Sequence, residues 1–483
     1  MKKITVKYTT GITFLLVLLT ACSLPKNIDV KDAKQLPEKF DNQITQTTQE
    51  FTPITLSNYF DDPELISLFD RIVKSNPDFQ ILQQRILIAN SHLQRARLAL
   101  LPTLDLKLDA SGTKFGDYTM EGVGNFDTNL SPNIQEDQKI RRDVTPQLWL
   151  GAQVSWEADI WGRLRNKKKA SQQRYFATHE GMRLLQNQLF TDVADLYYQL
   201  VAMDKKLVIY NQNYTVQQKA FEIVSAQRLA GKATELAVQQ FGAQSQNLLA
   251  EVEQVKIDVY ATEKALLSLV GEYGGTIQRG SNFMSNHTKI LNQAIPVDSV
   301  IHNRPDVAES YYELLATNAD AKSARAAFFP KLQIGAYGAM NSFSLETFFN
   351  PGSLAWQLLG GLTAPVFNQG QLRQDFYIAN RTQEMAFYNY QKNILTAYNE
   401  LSILLNQVAG YQRILVFKSE EVAYLDRAVS VSNDLYLTGY ANYWEIINSQ
   451  KLKLQAELDH VDYELSSSKS LVQLFKALGG EVK

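Results

Sequence analysis

The chain of 483 residues contains a single cysteine, Cys22, so no internal disulfide can form even in an oxidising compartment. Its five histidines, His92, His179, His287, His302 and His460, show no paired metal-ligand spacing, and without a second cysteine a zinc cluster is excluded. Gly274-Gly275 and Gly360-Gly361 lack the flanks of a phosphate loop and read as a linker and a close strand approach. Glu157 and Asp159 fall on one face near a strand end, where a lumen or rim position explains them better than acid–base work. The chain is therefore expected to be no enzyme, with no metal and no bound cofactor. Neither sign of charge dominates: 48 basic residues face 50 acidic ones, which leaves no electrostatic footprint for nucleic acid. The one basic run, Arg163 to Lys169, reads as a solvated helix start. Beyond the N-terminus no segment is apolar for the ~20 residues a spanning helix needs. If the chain crosses a membrane, strands must do it.

The N-terminus is different. Lys2, Lys3 and Lys7 precede an apolar stretch from Ile12 to Leu19 and then Thr20-Ala21-Cys22, the order of an export signal over residues 1–21. The Leu19-Thr20-Ala21-Cys22 ending resembles a bacterial lipobox. It implies cleavage before Cys22, a diacylglycerol on its sulfur and an acyl chain on its new amino group. Ser23, rather than aspartate, follows, which in lipoproteins looks like release to the outer membrane.

The rest of the chain repeats itself. Pro77-Asp78, Asn90, Ala96-Arg97, Pro102 and Leu104 recur 228 positions later as Pro305-Asp306, Asn318, Ala324-Arg325, Pro330 and Leu332. Farther on, Gly162, Leu164, Arg165, Gly231 and Gly271 recur at a shift of 208, as Gly370, Leu372, Arg373, Gly439 and Gly479. The first copy thus carries 20 extra residues (228 − 208), most simply a loop within Phe115 to Val144. Two copies this long indicate a duplicated unit rather than a solenoid of short repeats.

Each copy changes period along its length. Leu104, Leu106, Leu108 and Ala110 alternate with Asp105, Lys107, Asp109 and Ser111, as a half-buried strand does. Leu148 to Trp156 continues the alternation with Trp149 as the exception, and Leu332 to Ala336 and Trp356 to Leu362 are the second-copy counterparts. The strands are expected at about 102–116, 147–160, 330–343 and 354–367, near the ~10 residues that cross a bilayer when tilted. Next, Leu189, Val193, Leu196, Leu200, Met203, Leu207, Tyr210 and Tyr214 form a seam of period 3.5, matched by Ala397, Leu401, Leu404, Val408, Tyr411 and Leu415 with a break at Lys418. No proline interrupts 163–228. A helix of that length would be on the order of 100 Å long. Long helices are expected at about 163–228, 234–270, 371–436 and 442–478, with Gly231 and Gly439 at the reversals.

Four strands cannot close a barrel, because the smallest membrane barrels have about eight and an open edge in lipid strands its backbone groups. Several chains must share one barrel. The lipobox, the duplication, Arg304-Pro305-Asp306-Val307, the segment Trp156 to Leu164 and Pro365 to Gly370 together resemble the TolC/OprM family of outer-membrane efflux lipoproteins, from about Asp61 to Gly480. The resemblance implies a mainly α chain with membrane β-strands. Three copies would form one twelve-stranded barrel continued by a long α-helical periplasmic barrel. It implies an anchored segment at 22–60, a first repeat at 61–271, a linker at 272–297 wrapping the helices midway, a second repeat at 298–479 and a tail at 480–483. It further implies a homotrimer in the outer membrane of a Gram-negative bacterium, contacting its lipid. A periplasmic adaptor and an inner-membrane transporter would be its partners in exporting drugs or other small amphiphiles. A duct for secreted proteins or metal ions, and an anchored coiled-coil structural protein or adhesin, are the alternatives.

In that family the second-copy turn forms a constriction that opens like an iris. Tyr436 matches its tyrosine and Glu445 its first acidic residue, whereas Ala441 and Asn448 stand where some members carry an arginine and a second acid. Three Glu445 side chains would make an anionic ring favouring cations. The first-copy turn, Arg228 to Leu236 with Gly231 and Lys232, resembles the other hairpin tip, where an adaptor would dock beside Gly439.

Overall fold

A computed structural model describes residues 36–37, 40, 55–60, 62–140, 143–284 and 295–480. The export segment and Cys22 lie outside them. The elements in chain order are α1 (Leu56–Tyr59), α2 (Pro63–Ser75), α3 (Pro77–Leu98), β1 (Thr103–Thr113), α4 (Met120–Leu130), β2 (Thr145–Ala158), α5 (Arg163–Leu229), α6 (Glu235–Val270), α7 (Val297–Asn303), α8 (Pro305–Ala326), β3 (Lys331–Ser342), β4 (Leu354–Thr363), α9 (Gln371–Leu437) and α10 (Tyr443–Ala477). They divide between two compact units, one holding Ile88–Tyr175 with Glu313–Phe387, the other Ala33–Leu87, Phe176–Tyr312 and Tyr388–Lys483. No described helix is long and apolar enough to cross a membrane.

The first unit contains one sheet, ordered β1-β2-β3-β4 and antiparallel throughout, with β1 and β4 as edges that have no partner strand among the described residues. The pairings Leu104–Val154–Ala336–Leu358 and Leu108–Leu150–Met340–Leu354 put the apolar residues of all four strands on one face. The opposite face carries Asp105, Lys107, Asp109, Gln153, Tyr337 and Gln357. Trp149, the break in alternation, belongs to this polar face, where its ring meets Tyr337 edge-on at 6.1 Å and lies beneath the Lys107 ammonium. Leu104, Leu106, Leu108, Trp356, Leu358 and Leu362 are strongly exposed, so the apolar face is left uncovered among the described residues.

Two expectations are corrected in this unit. The carboxylates of Glu157 and Asp159 do not share a strand face, because β2 ends at Ala158. Glu157 accepts two hydrogen bonds from the Arg163 guanidinium, at 2.9 and 2.7 Å. Asp159 accepts from the backbone N–H groups of Leu164 and Arg165, at 3.0 and 2.8 Å, and so caps the start of α5. The extra residues of the first copy are not a plain loop either, since they contain α4. Thr119 caps that helix by accepting from the Gly122 N–H at 3.1 Å, and the Asn129 amide brackets Ile140, accepting from its N–H at 2.7 Å and donating to its carbonyl.

The helical unit makes the duplication physical. All four long-helix ends at Gly231, Gly271, Gly439 and Gly479 are left-handed, with φ between +71° and +86°. Each closes with paired bonds of the Schellman type, such as Lys232 N–H to Gln227 O at 2.8 Å and, 208 residues on, Tyr440 N–H to Leu435 O at 2.8 Å. The residue before each repeat's proline grips the same helix end. Asn76 donates to Leu269 O at 2.6 Å, and Arg304 to Ala477 O at 3.0 Å, acceptors that are themselves 208 apart. Arg304 is 4% exposed and also holds Asp306 and Glu400 at 2.8 and 2.6 Å. Burial alone would lower its pKa, and the two carboxylates outweigh burial and raise it.

The core of this unit is aromatic. Phe60, Phe69, Phe190 and Phe475 pack with centroid separations of 4.9–5.5 Å, and the Tyr59 hydroxyl donates to Leu471 O at 2.7 Å. The described linker residues lie against α5 and α6. The Arg279 guanidinium bridges Asp204, 2.5 Å away, and Glu263, while the Gly280 N–H donates to the Tyr197 hydroxyl, which donates in turn to Asp62.

Candidate functional site at the helix tips

In the helical unit the chain reverses twice, once between α5 and α6 and once between α9 and α10. Thr234 caps α6 by accepting from the Ala237 N–H at 3.2 Å. Asn442, 208 positions on, caps α10 by accepting from the Trp444 N–H at 2.8 Å. Gly231 and Gly439 sit at the turns with φ of +71° and +82°, which an L side chain adopts only with strain.

Glu445 is exposed, and its carboxylate accepts the Asn442 N–H at 3.0 Å, completing a capping box. The first acid of the family motif thus shapes the α10 N-terminus within its own chain. Asn448 is exposed one turn later. Tyr436 is half-buried, and its hydroxyl donates to Gln227 Oε1 of α5 at 2.5 Å, which ties the second-copy tip to the first-copy helix. Sequence reasoning missed Gln227, because nothing in its own neighbourhood distinguishes it. At the first-copy tip Arg228 pairs with Glu235 across the turn, and the Lys232 side chain is exposed.

Away from the tips a ladder of polar contacts joins α5 to α10. Asn213 meets Glu457 at 3.2 Å, Lys206 meets Asp462 at 2.7 Å and Lys205 meets Glu464 at 3.0 Å. Glu457 and Glu464 are seven residues apart, a signal available in the sequence. The seam break at Lys418 is a polar rung too. Its ammonium holds Glu421 at 2.8 Å and Asp459 at 3.1 Å, and these partners raise its pKa, Glu421 foremost. The first-copy counterparts, Tyr210 and Glu251, meet at 3.5 Å. Between the four helices near the tips lies an apolar groove of about 300 Å³, lined by Val216, Ile223, Phe241, Tyr436, Leu437 and Ile446. Among the described residues no cluster could hold a metal ion.

A sheet with one bilayer-length apolar face, and two long helical hairpins per chain, define a channel subunit. Residues 68–272 and 297–480 match the model of the outer membrane efflux protein family, one stretch per repeat, and the chain belongs to that family. It is 27% identical over 477 residues to the solvent efflux pump outer membrane protein SrpC of Pseudomonas putida, covering 97% of each chain. It is 24% identical over 472 residues to the cation efflux system protein CusC of Escherichia coli K12, covering 96% of this chain and 97% of the relative. The crystal structure of the Campylobacter jejuni CmeC outer membrane channel superposes with a TM-score of 0.79 at 20% identity, over 95% of each chain. The chain is an outer-membrane channel component of an efflux pump, not an enzyme.

Proposed function

We propose that three copies of the chain, anchored through lipid on Cys22, form the passive exit duct of a tripartite pump for small amphiphilic molecules. The observation that carries this reading is the sheet, whose apolar face is uncovered and whose edges β1 and β4 have no partner strand among the described residues. Pairing β1 of one copy with β4 of the next satisfies both edges and yields twelve strands, four from each of three copies. The leucine face then meets lipid and the polar face lines the lumen.

The tips form the resting constriction. Tyr436 holds each α9 against Gln227, and Glu445 from each copy stands near the three-fold axis as an anionic ring. Opening moves the α9–α10 hairpin outward and breaks the Tyr436–Gln227 bond and the Lys206–Asp462 and Lys205–Glu464 pairs. The turns at Gly231 and Gly439, with Arg228 and Lys232, would receive a periplasmic adaptor that connects the duct to an inner-membrane transporter. SrpC's solvent pump supports an amphiphilic cargo, and CusC supports a cation as the second reading.

The test is mass in detergent followed by current across a planar bilayer. A trimer with a small cation-selective current that loses selectivity in Glu445→Gln is expected. A monomer without current would overturn the duct, and a trimer whose selectivity ignores Glu445 would overturn the ring.

A further inference from the structure

We propose that α4 is a second, outer gate, formed when the α4 helices of three copies pack their apolar faces together across the outer mouth of the barrel. This rests on the trimeric barrel proposed above, and its occupant is a second copy of this chain.

Three observations lead there. The segment between β1 and β2 runs over 114–144, against 343–353 between β3 and β4, so the 20 extra residues of the first copy are spent at the end of the sheet away from the long helices. The attachment of α4 is polar. Gly122, Asn125 and Asn129, at helical spacing, face its own loop, and a Cβ on Gly122 would come within 2.1 Å of Gly116 O. Asn125 donates to the Thr145 hydroxyl at 3.1 Å. Thr145 shares the parity of Gln147, Trp149 and Gln153, so α4 hangs on the polar face of the sheet, the face assigned to the lumen.

Part of what this attachment leaves outward is apolar, although Glu121, Asp127 and Thr128 are exposed as well. Met120, Val123 and Leu130 are 89%, 49% and 67% exposed. At about 100° per residue the three fall within about 80° of one another, well over a third of a turn around the helix from the docked asparagines, with Asp127 also in that arc and Glu121 on the other side. An amphipathic helix normally buries its apolar face. This one is fixed by its polar face. Lipid is not the natural cover, because the leucines that would meet lipid project from the opposite side of the sheet. The pairing of β1 with a neighbouring β4 would instead bring three α4 stripes to one mouth.

The test uses the full-length protein with one added cysteine, in a Tyr436→Phe background that weakens the inner constriction. Val123→Cys and Met120→Cys report the apolar stripe, Glu121→Cys the other side, and the unmutated chain controls for Cys22. After the trimer is verified by mass, mild oxidation should convert both stripe variants to disulfide-linked dimers and abolish their current, with recovery on reduction. Glu121→Cys should remain monomeric on denaturing gels with its current intact. Stripe variants that cross-link no better than Glu121→Cys in a verified trimer would overturn the proposal, as would cross-linking with no loss of current. A spin label on Val123→Cys exposed to lipid-dissolved oxygen would assign the stripe to the bilayer and overturn it too. Absence of a trimer would remove the barrel itself, a failure visible before any cross-link is made.

Discussion

Arg304 offers a sharp test of the duplicated design. Removing its side chain in Arg304→Ala strands three acceptors at once: the Ala477 carbonyl, which ends α10, and the carboxylates of Asp306 and Glu400. Breaking a buried ion pair by deleting one partner costs ~3–5 kcal/mol. Asp306 and Glu400 are 26% and 36% exposed and recover part of that from water, so ~2–4 kcal/mol is expected. The first copy solves the same problem with Asn76, which reaches Leu269 O at 2.6 Å without any carboxylate. Arg304→Asn should therefore restore the contact to Ala477 and lose only the half-exposed pairs, at about 1–2 kcal/mol. Thermal melting of the purified protein in detergent, followed by helical circular dichroism, should rank wild type above Arg304→Asn and Arg304→Asn above Arg304→Ala. Equal damage from the two variants would refute the equivalence of the two helix-end clamps.

Further outcomes are measurable in the same preparation. Tyr436→Phe removes one hydrogen bond, worth about 1 kcal/mol, and should raise the open fraction in planar bilayers without changing the trimer's mass. Gly271→Ala should lower the melting temperature more than Gly479→Ala, since both positions are left-handed but a Cβ on Gly271 would lie 2.6 Å from Ser75 O, against 3.4 Å from Asn303 O for Gly479. Asp195 has a buried Oδ1 with no hydrogen-bond partner among the described residues, and its pKa is pushed up to about 6, chiefly by burial, with Lys469 opposing. A raised acid contributes stability in full below its ordinary range and loses it as pH climbs toward 6. Asp195→Asn should therefore flatten stability between pH 4 and 6 and gain about 1 kcal/mol at pH 7, after discounting for solvent around a partly exposed group. A wild-type melting temperature that rises over that interval relative to the variant's would contradict the assignment.

Much of the fold was legible because its signals are local. Period-two alternation located the strands, proline-free stretches located the long helices, and the glycines at 231, 271, 439 and 479 marked their ends, since only glycine adopts those dihedrals freely. The width of the helical core was not legible. The seam through Val193 and Leu200 is real, yet the fully buried face also takes Phe190, Ala194, Tyr197, Tyr198 and Val201. Its cover comes from Tyr59, Phe60, Phe69 and Phe475, hundreds of residues away at the far extreme, and a heptad count sees only one helix at a time. At the tips, Tyr436 and Glu445 were legible only through family resemblance. Gln227 was not, because a hydrogen-bond partner 209 positions away leaves no trace in its own neighbourhood.

The two copies keep the same geometry but not the same chemistry, and the differences are directional. Asn76 and Arg304 hold equivalent carbonyls, and Tyr210–Glu251 and Lys418–Asp459 are equivalent rungs, so duplication preserved where contacts fall. The linker clamp was not duplicated. Arg279 grips Asp204 on α5 and Glu263 on α6, whereas the positions 208 residues on are Gln412 and Leu471, which cannot form an ion pair with it. The Tyr197 hydroxyl that anchors Gly280 has Leu405 as its counterpart. The first hairpin is thus cross-braced by the linker, a brace with no counterpart on the second among the described residues. Toward its tip the second is held to the first by the Tyr436–Gln227 hydrogen bond, by Tyr443 and Ile447 packed against Val224, Ala237 and Phe241, and by half-exposed ion pairs each worth at most about 1 kcal/mol, while Arg304 and Phe475 secure its other end. If one hairpin moves when the duct opens, the energetics assign the motion to α9–α10. Arg279→Gln should then loosen the first hairpin, with faster amide exchange around Asp204 and Glu263 and unchanged exchange around Gln412 and Leu471; equal change in both hairpins would show that the bracing is shared.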